Sequence, residues 1–208
     1  MQPPYPNRTA ITGVILAGGA ARRLGGQDKG LWSFAGRPLV EWVIRALAPQ
    51  VGTLLISANR NLEHYAGYGL PVVTDLDPGF QGPLAGVRSA LRAARTDWIV
   101  TLPCDGPYPA PDLVARLVQA LHDQRGELAV ATDGRRIQPV HALLPVALAA
   151  DLEAFLDTGE RKPTLWYARH RVALADLSNR PGCFANLNTP EDAADLAPIR
   201  HAGRDTGR

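Results

Sequence analysis

The sequence predicts an α/β fold with three layers, in which helices cover both faces of a mostly parallel sheet. Short apolar runs alternate with segments of helical apolar spacing four or five times over residues 11–131, which is typical of parallel strands joined by crossover helices. A glycine-rich loop follows the first apolar run, as in Rossmann-like nucleotide-binding halves. Since 46% of the residues are hydrophobic, the chain can build a substantial core.

In the first half of the chain, predicted strands and helices take turns. Apolar runs that glycine, proline or polar residues bound predict strands over residues 14–16, 53–56, 71–74, 98–102 and 128–131. Apolar residues at helical spacing predict helices over residues 38–48, 61–68, 84–94 and 113–121. Pro38 suits a first helical position, because its missing N–H would have no partner there, and Pro49 ends the same helix.

The second half is less regular. Residues 138–144 form an apolar run that contains Pro139 and precedes Pro145. Because proline cannot donate a ladder hydrogen bond, we expect this strand at the edge of the sheet. Further helices are predicted over residues 148–156 and 164–168, and further strands over residues 171–175 and 183–185.

The ends of the chain are predicted to be tails. Residues 1–9 are proline-rich and polar, and residues 198–208 are polar and basic, so neither segment can bury much apolar surface. Thr189 is a suitable N-cap for a last helix, with Pro190 at its first position. We therefore expect a single domain over residues 10–197.

Composition excludes several classes of protein. The net charge of +2 is too small to indicate a nucleic-acid or membrane partner. No apolar run reaches the roughly 18 residues of a membrane span, and the N-terminus lacks the apolar region of a signal peptide. Cys104 and Cys183 are the only cysteines and form neither a disulfide framework nor a metal-binding spacing. The predicted location is the cytoplasm.

The loop after the first strand has the residues that a polyphosphate needs. Gly18 and Gly19 let backbone amides approach a ligand closely, and Arg22, Arg23 and Lys29 add three cations that can neutralise phosphate charge. A tight turn with a solvated basic rim is the alternative, but like charges crowd at a cost unless an anion joins them.

Two well-known phosphate loops do not match this one. A Walker A loop ends in Gly-Lys-Ser/Thr, which residues 25–30 lack. The dinucleotide fingerprint needs Gly-x-Gly-x-x-Gly and an acidic residue about 20 residues further on. The second strand instead ends in Ser57-Ala58-Asn59-Arg60, so a nicotinamide enzyme is not expected.

Four segments follow the carboxyl ends of predicted parallel strands, where an open sheet binds its ligands. They are the glycine-rich loop, residues 57–60 with Ser57 and Asn59, Asp75 with the helix entrance over residues 82–86, and Asp105. At the helix entrance, Gly82, Pro83 and Leu84 are the predicted binding residues. Asp105 follows a buried strand, and a carboxylate that faces a phosphate loop suits Mg²⁺. Turn formation is the alternative role for Asp75 and for Asp105.

These residues are sufficient for one type of reaction. A nucleoside triphosphate would lie with its phosphates on the loop, and an acceptor phosphate would attack the α-phosphorus in line while pyrophosphate leaves. Such a transfer requires positioning and charge stabilisation but no covalent intermediate. Arg23, Lys29 and Asp105 are the predicted catalytic residues, with Asp105 as the metal ligand.

Five motifs resemble the molybdenum cofactor guanylyltransferases, which belong to the nucleotidyltransferases with a Leu-Ala-x-Gly loop and have a nucleotide-diphospho-sugar transferase-like fold. They occur in the family's order at residues 16–30, 82–86, 103–105, 138–143 and 184–191. The ending Asp28-Lys29 is the feature that favours the molybdenum branch, since sugar-phosphate members commonly have Pro-Lys.

The resemblance implies that GMP is transferred from GTP to the phosphate of molybdenum-molybdopterin with Mg²⁺. It further implies contact with proteins of molybdoenzyme maturation. By resemblance, the nucleotide-binding residues are Leu16, Ala17, Gly18, Lys29 and Asp75, the metal ligand is Asp105, and Asn186 and Asn188 lie near the pterin.

One position departs from the family, which often has Asn where Ser57 stands; Asn59 is the residue that could compensate.

Two alternative functions stay open from the residues alone. One is a cytidylyl- or sugar-phosphate nucleotidyltransferase, and the other is a regulatory module that binds a nucleotide without turning it over.

Overall fold

The computed structural model describes residues 5–19, 28–76, 82–180, 182–189 and 192 of the 208-residue chain. Its strands are β1 (Ile11–Leu16), β2 (Ser33–Phe34), β3 (Arg37–Pro38), β4 (Thr53–Ser57), β5 (Val72–Val73), β6 (Trp98–Pro103), β7 (Leu128–Thr132), β8 (Ile137–Pro145) and β9 (Val172–Asp176). Its α-helices are α1 (Leu39–Leu47), α2 (Leu62–Ala66), α3 (Pro83–Ala93), α4 (Leu113–Asp123), α5 (Ala149–Asp157) and α6 (Pro163–Tyr167). Within these residues, no helix is long and apolar enough to cross a membrane.

Seven strands form one twisted sheet in the order β5-β4-β1-β6-β8-β7-β9, and β2 and β3 form a separate hairpin. β5, β4, β1 and β6 are mutually parallel, and β9 is parallel to β7. β8 alone runs antiparallel to its two neighbours, β6 and β7. The prediction of a mostly parallel sheet is therefore confirmed.

The predicted edge position of β8 is wrong, because this strand lies inside the sheet between β6 and β7. Its prolines are tolerated because neither interrupts a regular stretch of ladder. Pro139 lies where the register with β7 shifts, which is the bulge position that permits proline inside a sheet. Pro145 is the last residue of the strand.

Side chains satisfy the carbonyl groups that the β8 bulge removes from the ladder. Tyr167 Oη donates to the Pro139 carbonyl at 2.7 Å, and Thr101 Oγ1 donates to the Val140 carbonyl at 2.9 Å. Because buried carbonyls need partners, these two bonds make an interior position possible. Their donors are far along the chain from the bulge, so a local pattern could not reveal them.

The strand predicted over residues 183–185 is also wrong. The backbone there forms turns, in which Cys183 N donates to the Arg180 carbonyl at 3.2 Å and Ala185 N to the Gly182 carbonyl at 3.1 Å. Gly182 has a φ of 86°, a conformation that glycine adopts without strain. The amides are therefore used locally and form no ladder.

The helices cover both faces of the sheet, as predicted for three layers. Helices α1, α2 and α4 pack on one face, through buried side chains such as Val43, Tyr65 and Leu117. Helices α3, α5 and α6 pack on the other face, through side chains such as Val87 and Trp166. Because apolar helices pack on both faces of the sheet, the parallel strands are buried. This packing holds the carboxyl ends of the strands in fixed positions relative to one another.

A third, smaller cluster lies around the β2–β3 hairpin. Phe34, Leu39 and Leu187 are buried in it, and the rings of Trp42 and Tyr108 pack edge-on against Phe34 with centroids about 6 Å away. Leu187 lies between the two asparagines predicted to be functional, so this cluster holds their backbone in place.

Candidate active site

A cleft of about 250 Å³ opens at the carboxyl ends of β1, β4 and β6. Three of the four predicted segments contribute to its lining, while Asp105 lies beside it. The lining residues are Leu16, Gly18, Gly19, Ser57, Asp75, Gly82, Pro83, Gly86, Pro103 and Val140. Gly86, which ends the predicted helix entrance, Pro103 and Val140 were not named among the individual site residues. The first two adjoin predicted residues, but Val140 reaches the cleft because β8 lies beside β6, which the sequence prediction did not anticipate.

The backbone that follows β1 stays bonded to its neighbours for one more residue. Leu16 still accepts from Cys104 N at 3.1 Å, and Ala17 still donates to the Ser57 carbonyl at 2.7 Å, so both are anchored to neighbouring strands. A Cβ on Gly18 would lie 3.0 Å from Asn59 Nδ2, whereas a Cβ on Gly19 would meet nothing within 4 Å. Arg23 lies outside the described residues, as do all of residues 20–27.

The N-terminus of α3 forms the opposite wall. Gly82 precedes the helix with a φ of 85°, and Pro83 is its first residue. Unpaired amides at a helix N-terminus and the helix dipole both favour an anion. The side chain of Leu84 is fully buried in the core, so only its backbone is available to a ligand.

Asn59 and Asp75 are held together by two hydrogen bonds between the loops after β4 and β5. Asn59 Nδ2 donates to Asp75 Oδ2 at 2.7 Å, and Asp75 N donates to Asn59 Oδ1 at 2.8 Å. Ser57, in contrast, is 1% exposed and its Oγ lies against Gly86. Ser57 therefore lines the cleft itself. Asn59 instead holds the carboxylate of Asp75, which also lines the cleft.

Lys29, Asp105 and Asn188 meet beside the cleft, although they lie far apart in the sequence. Lys29 Nζ donates to Asp105 Oδ2 at 3.1 Å and to Asn188 Oδ1 at 2.5 Å. The backbone brings them together as well, because Leu187 N donates to the Asp105 carbonyl at 2.8 Å. Asn186 and Asn188 are exposed while Leu187 between them is buried, so both amide side chains face solvent beside Asp105.

The two oxygens of the Asp105 carboxylate differ. Oδ2 accepts from Lys29, but Oδ1 is buried and has no hydrogen-bond partner among the described residues. A buried carboxylate oxygen without a partner is costly unless a ligand completes it. In the part of the chain that the structure describes, no group of three or more His, Cys, Asp or Glu side chains is arranged to hold a metal ion, so a cation here would need ligand oxygens in addition to Asp105.

Asp28 is a site residue whose structural role the sequence prediction missed. Its carboxylate is buried next to Lys29 and accepts hydrogen bonds from Gly30 N, Asn61 Nδ2 and Tyr65 Oη. Burial raises the pKa of Tyr65, so its hydroxyl remains a donor at neutral pH. In the sequence, only the position of Asp28 directly before Lys29 in the motif could have indicated that Asp28 matters for the site.

Two other titratable side chains, Cys104 and His141, are buried. Cys104 is 7% exposed, and burial raises the pKa of its thiol, so it is a small apolar residue and not a nucleophile. His141 is 4% exposed and packs edge-on against Phe184 at 5.0 Å. Burial lowers the pKa of His141 to about 4, so it is neutral at pH 7.

Comparisons with known families and sequences agree with this geometry. The family described as the MobA-like NTP transferase domain matches residues 13–173. A molybdenum cofactor guanylyltransferase from Shewanella halifaxensis is 47% identical over 186 residues, which are 89% of this chain and 93% of that protein. One from Shewanella frigidimarina is 48% identical over 187 residues, which are 90% and 95% of the two chains.

Solved structures share the fold at low sequence identity. Molybdopterin-guanine dinucleotide biosynthesis protein A from Archaeoglobus fulgidus superposes with a TM-score of 0.76 at 23% identity, over 92% of this chain and 99% of that one. A 2-C-methyl-D-erythritol 4-phosphate cytidylyltransferase from Thermus thermophilus gives a TM-score of 0.66 at 19% identity, over 90% and 98%. Both have the nucleotide-diphospho-sugar transferase fold, so the predicted fold class is confirmed.

Proposed function

The chain belongs to the MobA-like NTP transferase family, and from this membership we propose that it transfers GMP from GTP to the phosphate of molybdenum-molybdopterin. The products are the guanine dinucleotide form of the cofactor and pyrophosphate. The observation that carries the proposal is the meeting of Lys29 with Asp105 beside a cleft with a glycine turn on one wall and a helix N-terminus on the other.

The cleft has the lining that a nucleotide needs. Leu16, Pro83, Pro103 and Val140 provide apolar surface for a planar base. The Asp75 carboxylate, which Asn59 holds in place, can accept hydrogen bonds from ribose or base donors. With the base there, the phosphates extend from Gly18 and Gly19 towards Lys29.

Asp105 is the residue that we propose to hold Mg²⁺. Its buried Oδ1 lacks a partner among the described residues, and one carboxylate together with phosphate oxygens and waters is a set that Mg²⁺ commonly accepts. When bound, the ion would stabilise the negative charge that develops on the transferring and leaving phosphates.

The protein's own groups would position and neutralise the reactants. Lys29 and, by proposal, Arg23 neutralise the phosphates, and the N-terminal amides of α3 face the same anion. Asn186 and Asn188 hold the acceptor, whose phosphate oxygen forms a bond to the α-phosphorus while the bond to the β-phosphate oxygen breaks. The acceptor phosphate is already deprotonated near neutral pH, so no general base is required.

The proposal also covers the location of the protein, its domain bounds and its partner proteins. We place the activity in the cytoplasm and within one nucleotidyltransferase domain over residues 10–197, with tails at residues 1–9 and 198–208. Proteins of molybdoenzyme maturation are the proposed recipients of the product. What supports these statements is the family membership and, for the domain, the pattern of the sequence.

Incubation with GTP, Mg²⁺ and molybdenum-molybdopterin tests the proposal. We expect equal amounts of pyrophosphate and guanine dinucleotide, measured by chromatography with mass detection. A preference for CTP in a competition assay would indicate a cytidylyltransferase instead. Tight GTP binding without any product would indicate a regulatory module, and either result would overturn the proposal.

A further inference from the structure

Asp28 carries a buried negative charge immediately before Lys29. Its side chain is 5% exposed, and it accepts from Gly30 N at 3.1 Å, Asn61 Nδ2 at 2.9 Å and Tyr65 Oη at 2.7 Å. Arg60 Nε lies 3.5 Å from the same carboxylate. Burying a carboxylate is costly unless it is paired and hydrogen-bonded. These four contacts meet that requirement and hold the carboxylate in one position.

The surrounding backbone transmits this position to Lys29. Asp28 is the N-cap of a short 3₁₀ helix, Lys29–Leu31, in which its side chain accepts from Gly30 N. Glycine is required at position 30, because a Cβ there would collide with the Tyr65 hydroxyl. Tyr65 is itself fully buried in α2. Lys29 therefore extends from a turn that is fixed to α2 on its buried side.

The segment that binds Asp28 also supports the other side of the cleft. Asn61 and Arg60 contact Asp28, while Asn59, one residue earlier, makes both hydrogen bonds to Asp75. Asn61 adopts a left-handed conformation with a φ of 50°, which is uncommon for a residue other than glycine. Strained residues of this kind occur where surrounding contacts determine the backbone.

We propose that Asp28 is a positioning residue for Lys29, and that Asn61 and Tyr65 act through it. This inference rests on the proposed nucleotidyl transfer, in which Lys29 neutralises phosphate. Asp28 does not touch the substrate in this account. It sets where the Lys29 ammonium lies relative to Asp105, and a displacement of about 1 Å in such a group can cost about 100-fold in rate.

A double-mutant cycle separates positioning from stability. The variants are Asp28→Asn, Lys29→Ala and the double variant, assayed for kcat and KM with the nucleotide that the wild type prefers. We expect Asp28→Asn to lower kcat about 10- to 100-fold and to weaken the affinity for the nucleotide less, about three- to tenfold, because Lys29 also neutralises the phosphates of the bound nucleotide. In the Lys29→Ala background, Asp28→Asn should cause no further loss, because the group that it positions is gone.

Asp151→Asn is the matched control. Asp151 also accepts hydrogen bonds from several side chains, namely Trp166, Arg169 and His170, but it lies outside the cleft. We expect both Asp→Asn variants to lower the melting temperature and only Asp28→Asn to lower kcat. Tyr65→Phe removes one hydrogen bond to Asp28 and no charge, so it should cause a smaller loss in kcat. It replaces Asp28→Asn as the test variant if Asp28→Asn does not fold.

The nucleotide affinities of the same four proteins are also measured by calorimetry. This second measurement lets the proposed function and the positioning role of Asp28 be tested independently. A wild type that binds GTP and forms no product overturns the proposed function, while the binding cycle still tests Asp28. If the losses in kcat caused by Asp28→Asn and by Lys29→Ala simply add in the double variant, the positioning role is overturned. For an inactive wild type, additive losses in nucleotide affinity overturn it in the same way. An unchanged kcat in folded Asp28→Asn and in Tyr65→Phe does so as well.

Discussion

Asp105 is the residue at which the two halves of the proposed site meet. Its Oδ2 accepts from Lys29, which follows the glycine-rich loop, and its main-chain carbonyl accepts from Leu187, in the segment that carries the two asparagines. A single residue at the end of β6 therefore contacts both the proposed nucleotide side and the proposed acceptor side. Its substitution should affect chemistry more than folding.

We expect Asp105→Asn to lower kcat/KM for GTP by about 100-fold or more, the usual range for losing one group that stabilises transition-state charge. An amide keeps the shape and can still accept from Lys29, but it is a poor ligand for a hard cation. Steady-state kinetics at saturating Mg²⁺ measures the loss. Asp123→Asn, an exposed carboxylate on α4, should keep full activity, and equal activity of the two variants would remove Asp105 from the mechanism.

His141 should make stability depend on pH. Burial lowers its pKa from 6.5 to about 4, so between these values the unfolded chain binds a proton that the folded chain does not. The free energy of unfolding should therefore fall as pH decreases from 6.5 to 4, by at most about 3 kcal/mol from this group. Its contribution is complete above pH 6.5 and absent below pH 4.

Urea unfolding of His141→Phe at pH 4.5, 5.5 and 7 tests this prediction. The readout is the slope of stability against pH, so a packing change that shifts all values equally does not matter. We expect a shallower slope than in the wild type. Parallel slopes for the wild type and His141→Phe would contradict it.

At the scale of elements, helix α3 packs very closely against the end of strand β4. A Cβ on Gly86 would lie 2.6 Å from Ser57 Oγ and 3.2 Å from Leu16 Cδ2. Glycine at this point lets the helix N-terminus approach the end of the strand, which gives the cleft its width. Alanine is about 1 kcal/mol better than glycine inside a helix, so any loss on substitution must come from this contact.

We expect Gly86→Ala to raise KM for GTP about tenfold, because the clash displaces the α3 N-terminus, and overpacking of this kind costs about 1–3 kcal/mol. Adding Ser57→Ala removes the clashing oxygen and should restore most of the affinity. Calorimetric titration of the single and double variants with GTP measures both effects. If Ser57→Ala gives no recovery, the loss has another cause.

Elements with local patterns were predictable, and those set by distant contacts were not. The helices α1 and α4 follow from apolar spacing, and the parallel strands follow from their alternation with helices. The interior position of β8 depends on Thr101 and Tyr167, which satisfy the carbonyls of its bulge. No pattern within residues 138–144 contains that information, so the prolines alone gave the wrong position.

The same distinction holds for the site. The location of Lys29, Asp75 and Asp105 was predictable because the carboxyl ends of parallel strands lie at one edge of a sheet, and their roles stay predictions. The role of Asp28 was not predictable, because its partners Asn61 and Tyr65 lie 33 and 37 residues away. Asn61 precedes the short helix α2 and Tyr65 lies in it, and this helix has no distinctive pattern. Val140 was missed for the same reason as the position of β8.

At the scale of the whole molecule, nucleotide and metal should stabilise the fold together. A ligand at 100 times its Kd adds about 2.7 kcal/mol, which corresponds to a rise in melting temperature of about 5–10 °C for a chain of this size. We expect GTP with Mg²⁺ to produce such a rise. GTP with EDTA should produce a smaller one, because phosphate charge would then face the Asp105 carboxylate without a cation between them.

Asp105→Asn separates the metal's contribution from that of the nucleotide. In this variant the repulsion and the metal ligand are both gone, so GTP should raise the melting temperature equally with Mg²⁺ and with EDTA. Thermal unfolding followed by fluorescence, with the wild type and Asp123→Asn in parallel, gives the comparison. If the wild-type shift is the same with Mg²⁺ and with EDTA, the nucleotide binds without a metal at Asp105, and the proposed metal site would have to be abandoned even if GTP binds tightly.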